Sequence, residues 1–117
     1  MKILVVDDDA MIRKMVDRIL TRKGHHVALA GDGKEAMRML SDDHYHLVIS
    51  DVLMPDMDGV ALVHALRRSG NDVPVLLMSG NCGSRATDVE ALVANDTVKG
   101  LIVKPFSNAD FLAAVEN

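Results

Sequence analysis

Cysteine, proline and aromatic residues are scarce in this chain. Its 117 residues include one cysteine (Cys82), three prolines, one tyrosine, two phenylalanines and no tryptophan. A single cysteine excludes an intramolecular disulfide and fits a reducing compartment, so the cytoplasm is the expected location. The lack of aromatics argues against modules that stack nucleic-acid bases. Lys and Arg number 13 against 17 Asp and Glu, a formal charge of -4 that argues against a phosphate-backbone binder. The apolar start, Ile3 to Val6, runs straight into Asp7 and is too short for a signal peptide or a membrane span. Repeats, low-complexity tracts and linkers are also missing. What is plentiful is apolar residues, 49% of the chain, which is enough for a real core and argues against disorder. One domain over residues 1–117 is expected, with no output domain inside it.

The apolar residues fall into two alternating patterns. Short runs bounded by turn residues read as buried strands: Lys2 to Val6, Val27 to Ala30, Leu47 to Ser50, Val73 to Met78 and Gly100 to Val103. Between and after them come helical spacings: Ile12, Met15, Val16, Ile19 and Leu20; Ala36, Met37 and Leu40; Leu62, Val63 and Leu66; Val89, Leu92 and Val93; Phe111, Leu112 and Val115. Asp9 is the expected cap of the first helix and Gly24 its stop. Gly31-Asp32-Gly33 is a turn, Asp58 caps the third helix, and Gly70 closes it. Thr87 and Glu90, like Ser107 and Asp110, have the spacing of a capping box. Strand and helix alternate five times, which predicts a parallel sheet with helices on both faces.

The chemistry gathers at the carboxyl ends of those strands, the edge where open α/β sheets bind ligands. Strand one ends in Asp7 and Asp8, strand three in Asp51, strand four in Ser79 and strand five in Lys104. In the order 2-1-3-4-5 these groups converge on one crevice. Two of its carboxylates about 5 Å apart would repel by roughly 3 kcal/mol at an effective dielectric near 20. A hard cation such as Mg²⁺ relieves that repulsion and shares carboxylates with a phosphate; Lys104 suits a phosphate oxygen as a compact charge. Asp51 is therefore the expected phosphoryl acceptor. Its attack on phosphorus would form an acyl phosphate, stabilised electrostatically, with Ser79 as hydroxyl donor.

Four stretches carry a family likeness. Val5-Val6-Asp7-Asp8-Asp9, Ser50-Asp51-Val52-Leu53-Met54-Pro55 with Asp58-Gly59, Leu77-Met78-Ser79-Gly80, and Val103-Lys104-Pro105-Phe106 occur in an order and spacing that resemble the receiver domain of bacterial two-component response regulators. The likeness covers the whole chain. It implies the flavodoxin-like (βα)5 doubly wound sheet and a phosphorylation-controlled switch rather than an enzyme. It implies that Asp51 takes its phosphoryl group from the phosphohistidine of a sensor histidine kinase or a phosphotransfer protein. By the same likeness Asp7, Asp8, Asp51 and the backbone carbonyl of Leu53 hold Mg²⁺, with Asp8 a direct ligand and Asp7 acting through water. Lys104 contacts the phosphate, Lys104-Pro105 is a cis bond, and Ser79 follows the phosphoryl group. The output is a changed partner surface or a homodimer through helix 4, strand 5 and helix 5.

This chain departs from the family pattern in places. The family's switch aromatic, three residues before the lysine, is Leu101 here, and the residue after the hydroxyl is Gly80. Leu53, with Asn81, stands where family members tune dephosphorylation; an apolar Leu53 is expected to hinder attacking water. A phosphate-independent adaptor of the same fold is the alternative reading. A phosphohydrolase would need an acid at the position of Leu53, and a flavin binder would need a Gly-, Ser- or Thr-rich first loop.

The remaining polar residues read as structural. Asp56 belongs to the loop. His25, His26, His44 and His46 lie near the amino ends of strands, and His64 on a helix face; all five are expected at the surface or its boundary. The eight methionines are core filler.

Overall fold

The computed structural model describes residues 1–117. Five strands, β1 (Lys2–Val6), β2 (His26–Ala30), β3 (Leu47–Asp51), β4 (Val75–Ser79) and β5 (Gly100–Val103), alternate with five helices. The helices are α1 (Ala10–Arg22), α2 (Gly33–Asp42), α3 (Gly59–Arg68), α4 (Ala86–Ala94) and α5 (Asn108–Glu116). All strand pairs are parallel, in the order β2-β1-β3-β4-β5.

Successive strand residues point to opposite faces, so a sheet covered on both sides needs unbroken apolar strands. Leu4, Val6, Val48, Val75 and Leu77 pack under α2, α3 and α4 with Ala36, Leu40, Leu62, Leu66 and Val89. Ile3, Val5, Ile49, Leu76 and Met78 pack under α1 and α5 with Val16, Leu20, Phe111 and Val115.

The start and stop residues act locally. Asp9 Oδ1 accepts the Met11 N–H at 2.9 Å, Asp58 Oδ1 that of Ala61 at 2.9 Å, and Ser107 Oγ that of Asp110 at 3.0 Å. Gly24 and Gly70, at φ +86° and +82°, take the left-handed turn that ends α1 and α3. Asp32 does more than turn the chain. It caps α2 by accepting the Glu35 N–H at 2.7 Å, while Glu35 Oε1 accepts the Gly31 N–H at 3.0 Å.

Four expectations need correction. Strand β4 is Val75–Ser79 rather than 73–78, and β3 includes Asp51. The ladder continues past β3 and β5, with the Val52 N–H donating to the Met78 carbonyl at 2.9 Å and the Lys104 N–H to the Ser79 carbonyl at 2.9 Å. Thr87 caps nothing: a 3₁₀ turn over Gly83–Arg85 feeds directly into α4, so Thr87 already lies inside the helix. Val93, near the end of that helix, is exposed rather than in the core. The eight methionines are not all core filler: Met1, Met11 and Met15 are exposed.

Gly59 fixes the path of the loop that leaves β3. A β-carbon there would stand 2.4 Å from the Asp51 carbonyl oxygen and 3.1 Å from Val52 Cα. Only glycine lets α3 start so close to the end of β3.

Candidate functional site

The crevice is built from strand ends. The Asp7 N–H donates to the Ala30 carbonyl at 3.2 Å, so the β1–β2 ladder carries Asp7 into the interior, where it is fully buried. Two further contacts hold it: Asp7 Oδ1 accepts the Asp9 N–H at 2.9 Å, and Arg13 Nη1 donates to the Asp7 carbonyl at 2.6 Å. Asp8 is exposed beside it. Asp51 ends β3, next to β1, and its Oδ1 accepts the Val52 N–H at 3.0 Å.

Carboxylate oxygens of Asp7, Asp8 and Asp51 come within 4.8 Å of one another. Lys104, just past β5, crosses the top of β4 to reach them. Its Nζ lies 3.2 Å from Asp7 Oδ2 and 3.5 Å from Asp51 Oδ1. Ser79 ends β4, between β3 and β5, and is buried. The Lys104–Pro105 bond is cis, as the resemblance implies.

Burial pushes the Asp51 carboxyl above the ordinary aspartate range. Repulsion from Asp7 adds to the rise, while Lys104 and the Val52 N–H oppose it. Three ionised acids and one lysine leave a formal charge of -2 in the cluster. The donor set is all oxygen, is carried by two adjacent strand ends and is under-neutralised. These properties suit a small hard cation such as Mg²⁺ and would not suit a soft one.

The structure thus brings Asp7, Asp8, Asp51 and Lys104 together and places Ser79 at the neighbouring strand end. Leu53 lies on the loop after Asp51, exposed, with its Cδ1 beside Gly83. Leu101 is half-buried against the core under α2–α4. The histidines stay apart. His26 begins β2, His46 precedes β3, and His64 is exposed on α3. Sequence reasoning missed Arg13, whose position one turn into α1 gave no local sign of the contact. It also missed Arg85, whose guanidinium grips Asp58 across 27 residues of sequence.

Fold and site together define a doubly wound α/β domain with an acidic, lysine-bearing crevice at its carboxyl edge. The sequence model of the response regulator receiver domain matches residues 3–116. The chain belongs to that family, the receiver domains of two-component systems.

Among curated relatives, it is 37% identical to the probable transcriptional regulator ycf27 of Cyanophora paradoxa, over 99% of this chain and 47% of the relative. It is 36% identical to the response regulator MprA of Mycobacterium avium, over 97% of this chain and 48% of that protein. The chain therefore spans about half the length of these relatives. Among solved structures, the chemotaxis protein CheY4 of Vibrio cholerae superposes with a TM-score of 0.86 at 32% identity, covering 98% of this chain and 95% of that one. The response regulator TrrA of Thermotoga maritima, solved in complex with Mg(2+)-BeF, superposes with a TM-score of 0.84 at 26% identity, covering 98% and 96%.

Proposed function

We propose that residues 1–117 form a phosphoacceptor receiver domain acting in the cytoplasm, with Asp51 as the acceptor. The observation that carries this reading is the convergence of Asp7, Asp8 and Asp51 with Lys104 Nζ 3.2 Å and 3.5 Å from two of them. A carboxylate oxygen of Asp51 attacks the phosphorus of a phosphohistidine on a histidine kinase or phosphotransfer protein. The P–O bond forms as the P–N bond breaks, and the imidazole nitrogen leaves with the electron pair and takes up a proton. The product is an acyl phosphate.

Asp7, Asp8, Asp51 and the Leu53 carbonyl are the residues to hold Mg²⁺. When bound, the ion neutralises charge that builds on the phosphoryl oxygens. Lys104 supplies a second, fixed positive charge at the same place. Ser79 donates a hydrogen bond to the transferred group and draws the loop after β4 inward. That movement alters the α4–β5–α5 face, which meets an effector, an output domain outside these residues, or a second copy. Leu53 shields the acyl phosphate from water and slows the domain's own dephosphorylation, so Leu53→Asn shortens the phosphoryl half-life.

A phosphate-independent adaptor is the second reading, and Leu101 favours it. Leu101 packs against the core where family members carry a mobile ring. The test is intact mass after incubation with acetyl phosphate and Mg²⁺. A phosphoryl increment in the wild type and none in Asp51→Asn is the expected result. No increment in either, with Mg²⁺ bound, selects the adaptor.

A further inference from the structure

We propose that Arg85 and Asp58 form a latch that holds the Ser79 loop in its resting position. The proposal rests on the phosphoacceptor reading above. Two loops border the β3–β4 side of the crevice: residues 52–58, which follow Asp51, and residues 80–85, which follow Ser79. They are tied together at their far ends. Arg85 Nε donates to Asp58 Oδ2 at 2.8 Å and Nη2 to Asp58 Oδ1 at 3.3 Å, a two-point grip. Its remaining nitrogen, Nη1, donates to Asp88 Oδ2 at 2.9 Å in the first turn of α4. One guanidinium therefore joins the cap of α3 to the start of α4.

Asp58 is well placed as an anchor. Its Oδ1 also accepts the Ala61 N–H at 2.9 Å, and Gly59 seats the same turn tightly against the end of β3. Its side chain is only 17% exposed and that of Arg85 33%, so water screens the pair less than an open surface pair. The loops touch a second time, where Leu53 Cδ1 lies 3.5 Å from the site of a Gly83 β-carbon.

The geometry explains why α4 has no side-chain cap of its own. Arg85 occupies the cap position, carries only donors and so cannot accept from the first N–H groups of the helix; its donors go to Asp58 and Asp88. Between Ser79 and Arg85 lie Gly80 and Gly83, which let the segment change path. A hydroxyl at Ser79 that follows a phosphoryl group on Asp51 must pull this segment toward β3. In this proposal the grip is made in the resting arrangement and is lost when the segment moves, which biases the two-state equilibrium about fivefold. Arg85 is thus a positioning residue, acting on the site through the loop.

The test is titration with beryllofluoride and Mg²⁺, the phosphoryl stand-in present in the TrrA complex. Arg85→Ala is expected to bind about fivefold more tightly than the wild type. Asp58→Asn, which keeps an oxygen to cap α3, shifts the same way by less, and Arg85→Lys falls between wild type and Arg85→Ala. In the free protein, Arg85→Ala speeds hydrogen exchange at the amides of residues 80–84 and leaves those of β4 unchanged. A merely structural role would instead weaken beryllofluoride binding together with thermal stability. Unchanged or weaker binding in Arg85→Ala overturns the latch while leaving the phosphoacceptor reading intact. Failure of the wild type to bind at all refutes that reading, and the latch with it.

Discussion

The two edges of the sheet are made of similar residues and do different things with them. At the amino edge, the groups around Lys2 pair off, while His25 Nε2 is buried without a partner. Lys2 bridges to Asp43 and lies 4.8 Å over the Tyr45 ring, and the Lys2 N–H donates to His46 Nδ1 at 2.9 Å. At the carboxyl edge, Asp7, Asp8 and Asp51 crowd together and share one lysine. The titrations follow suit. The hydrogen bond from Lys2 holds the Asp43 carboxyl below its ordinary range, whereas burial and then Asp7 lift that of Asp51 above it. Pairing stabilises one edge; unresolved like charge marks the other as a place for a ligand.

The contrast can be broken most severely at Gly59. Gly59→Ala forces a β-carbon against the Asp51 carbonyl and should lower stability by about 3 kcal/mol or more in urea unfolding. Next comes the cation. Asp8→Asn should weaken Mg²⁺ binding by roughly tenfold or more in a calorimetric titration, because it removes a carboxylate from the cluster. Asp43→Asn, at the other edge, should leave that affinity unchanged.

Acid sharpens the comparison further. The folded Asp51 pKa lies above 3.8, so its favourable contribution is present below that pH and is lost as pH rises through the folded value. In EDTA at neutral pH, Asp51→Asn should therefore melt a few degrees above the wild type, and the gap should close as pH falls toward 3.8. Asp43 has the opposite sign. Its contribution is present above 3.8 and is lost as pH falls through its lowered pKa, so Asp43→Asn should be no more stable than the wild type at neutral pH. The smallest effect expected is that of His46→Ala, which removes the acceptor for the Lys2 N–H. It should cost about 1 kcal/mol or less in urea unfolding and leave Mg²⁺ binding alone.

Much of this was legible before any coordinates, because a parallel sheet writes itself as apolar runs and each run ends on the edge that matters. Asp7, Asp51, Ser79 and Lys104 are the polar residues that close four of those runs. The caps Asp9 and Ser107 were equally plain, since a cap bonds to residues two or three positions away. What stayed hidden is what depends on distant sequence. The grip of Arg85 on Asp58 spans 27 residues, and the Thr87–Glu90 spacing gave no sign that a 3₁₀ turn over Gly83–Arg85 runs straight into α4 and leaves Thr87 inside it. Val93 fits the helical apolar spacing yet is exposed, because periodicity names a face without saying how far the neighbouring element reaches. Strand ends moved by a residue or two because ladder bonds to neighbouring strands set where β3 and β4 stop.

The central claim is that the charge left unresolved at the carboxyl edge is there to receive a phosphoryl group on Asp51. The most direct measurement is chemical mapping: phosphorylate the wild-type chain with acetyl phosphate and Mg²⁺, reduce it with borohydride, digest it and read the peptide masses. Reduction converts an aspartyl phosphate to homoserine, and the account predicts homoserine at residue 51 alone. Homoserine at any other aspartate, or a phosphoryl group that survives borohydride on one of the amino-edge histidines, would contradict it.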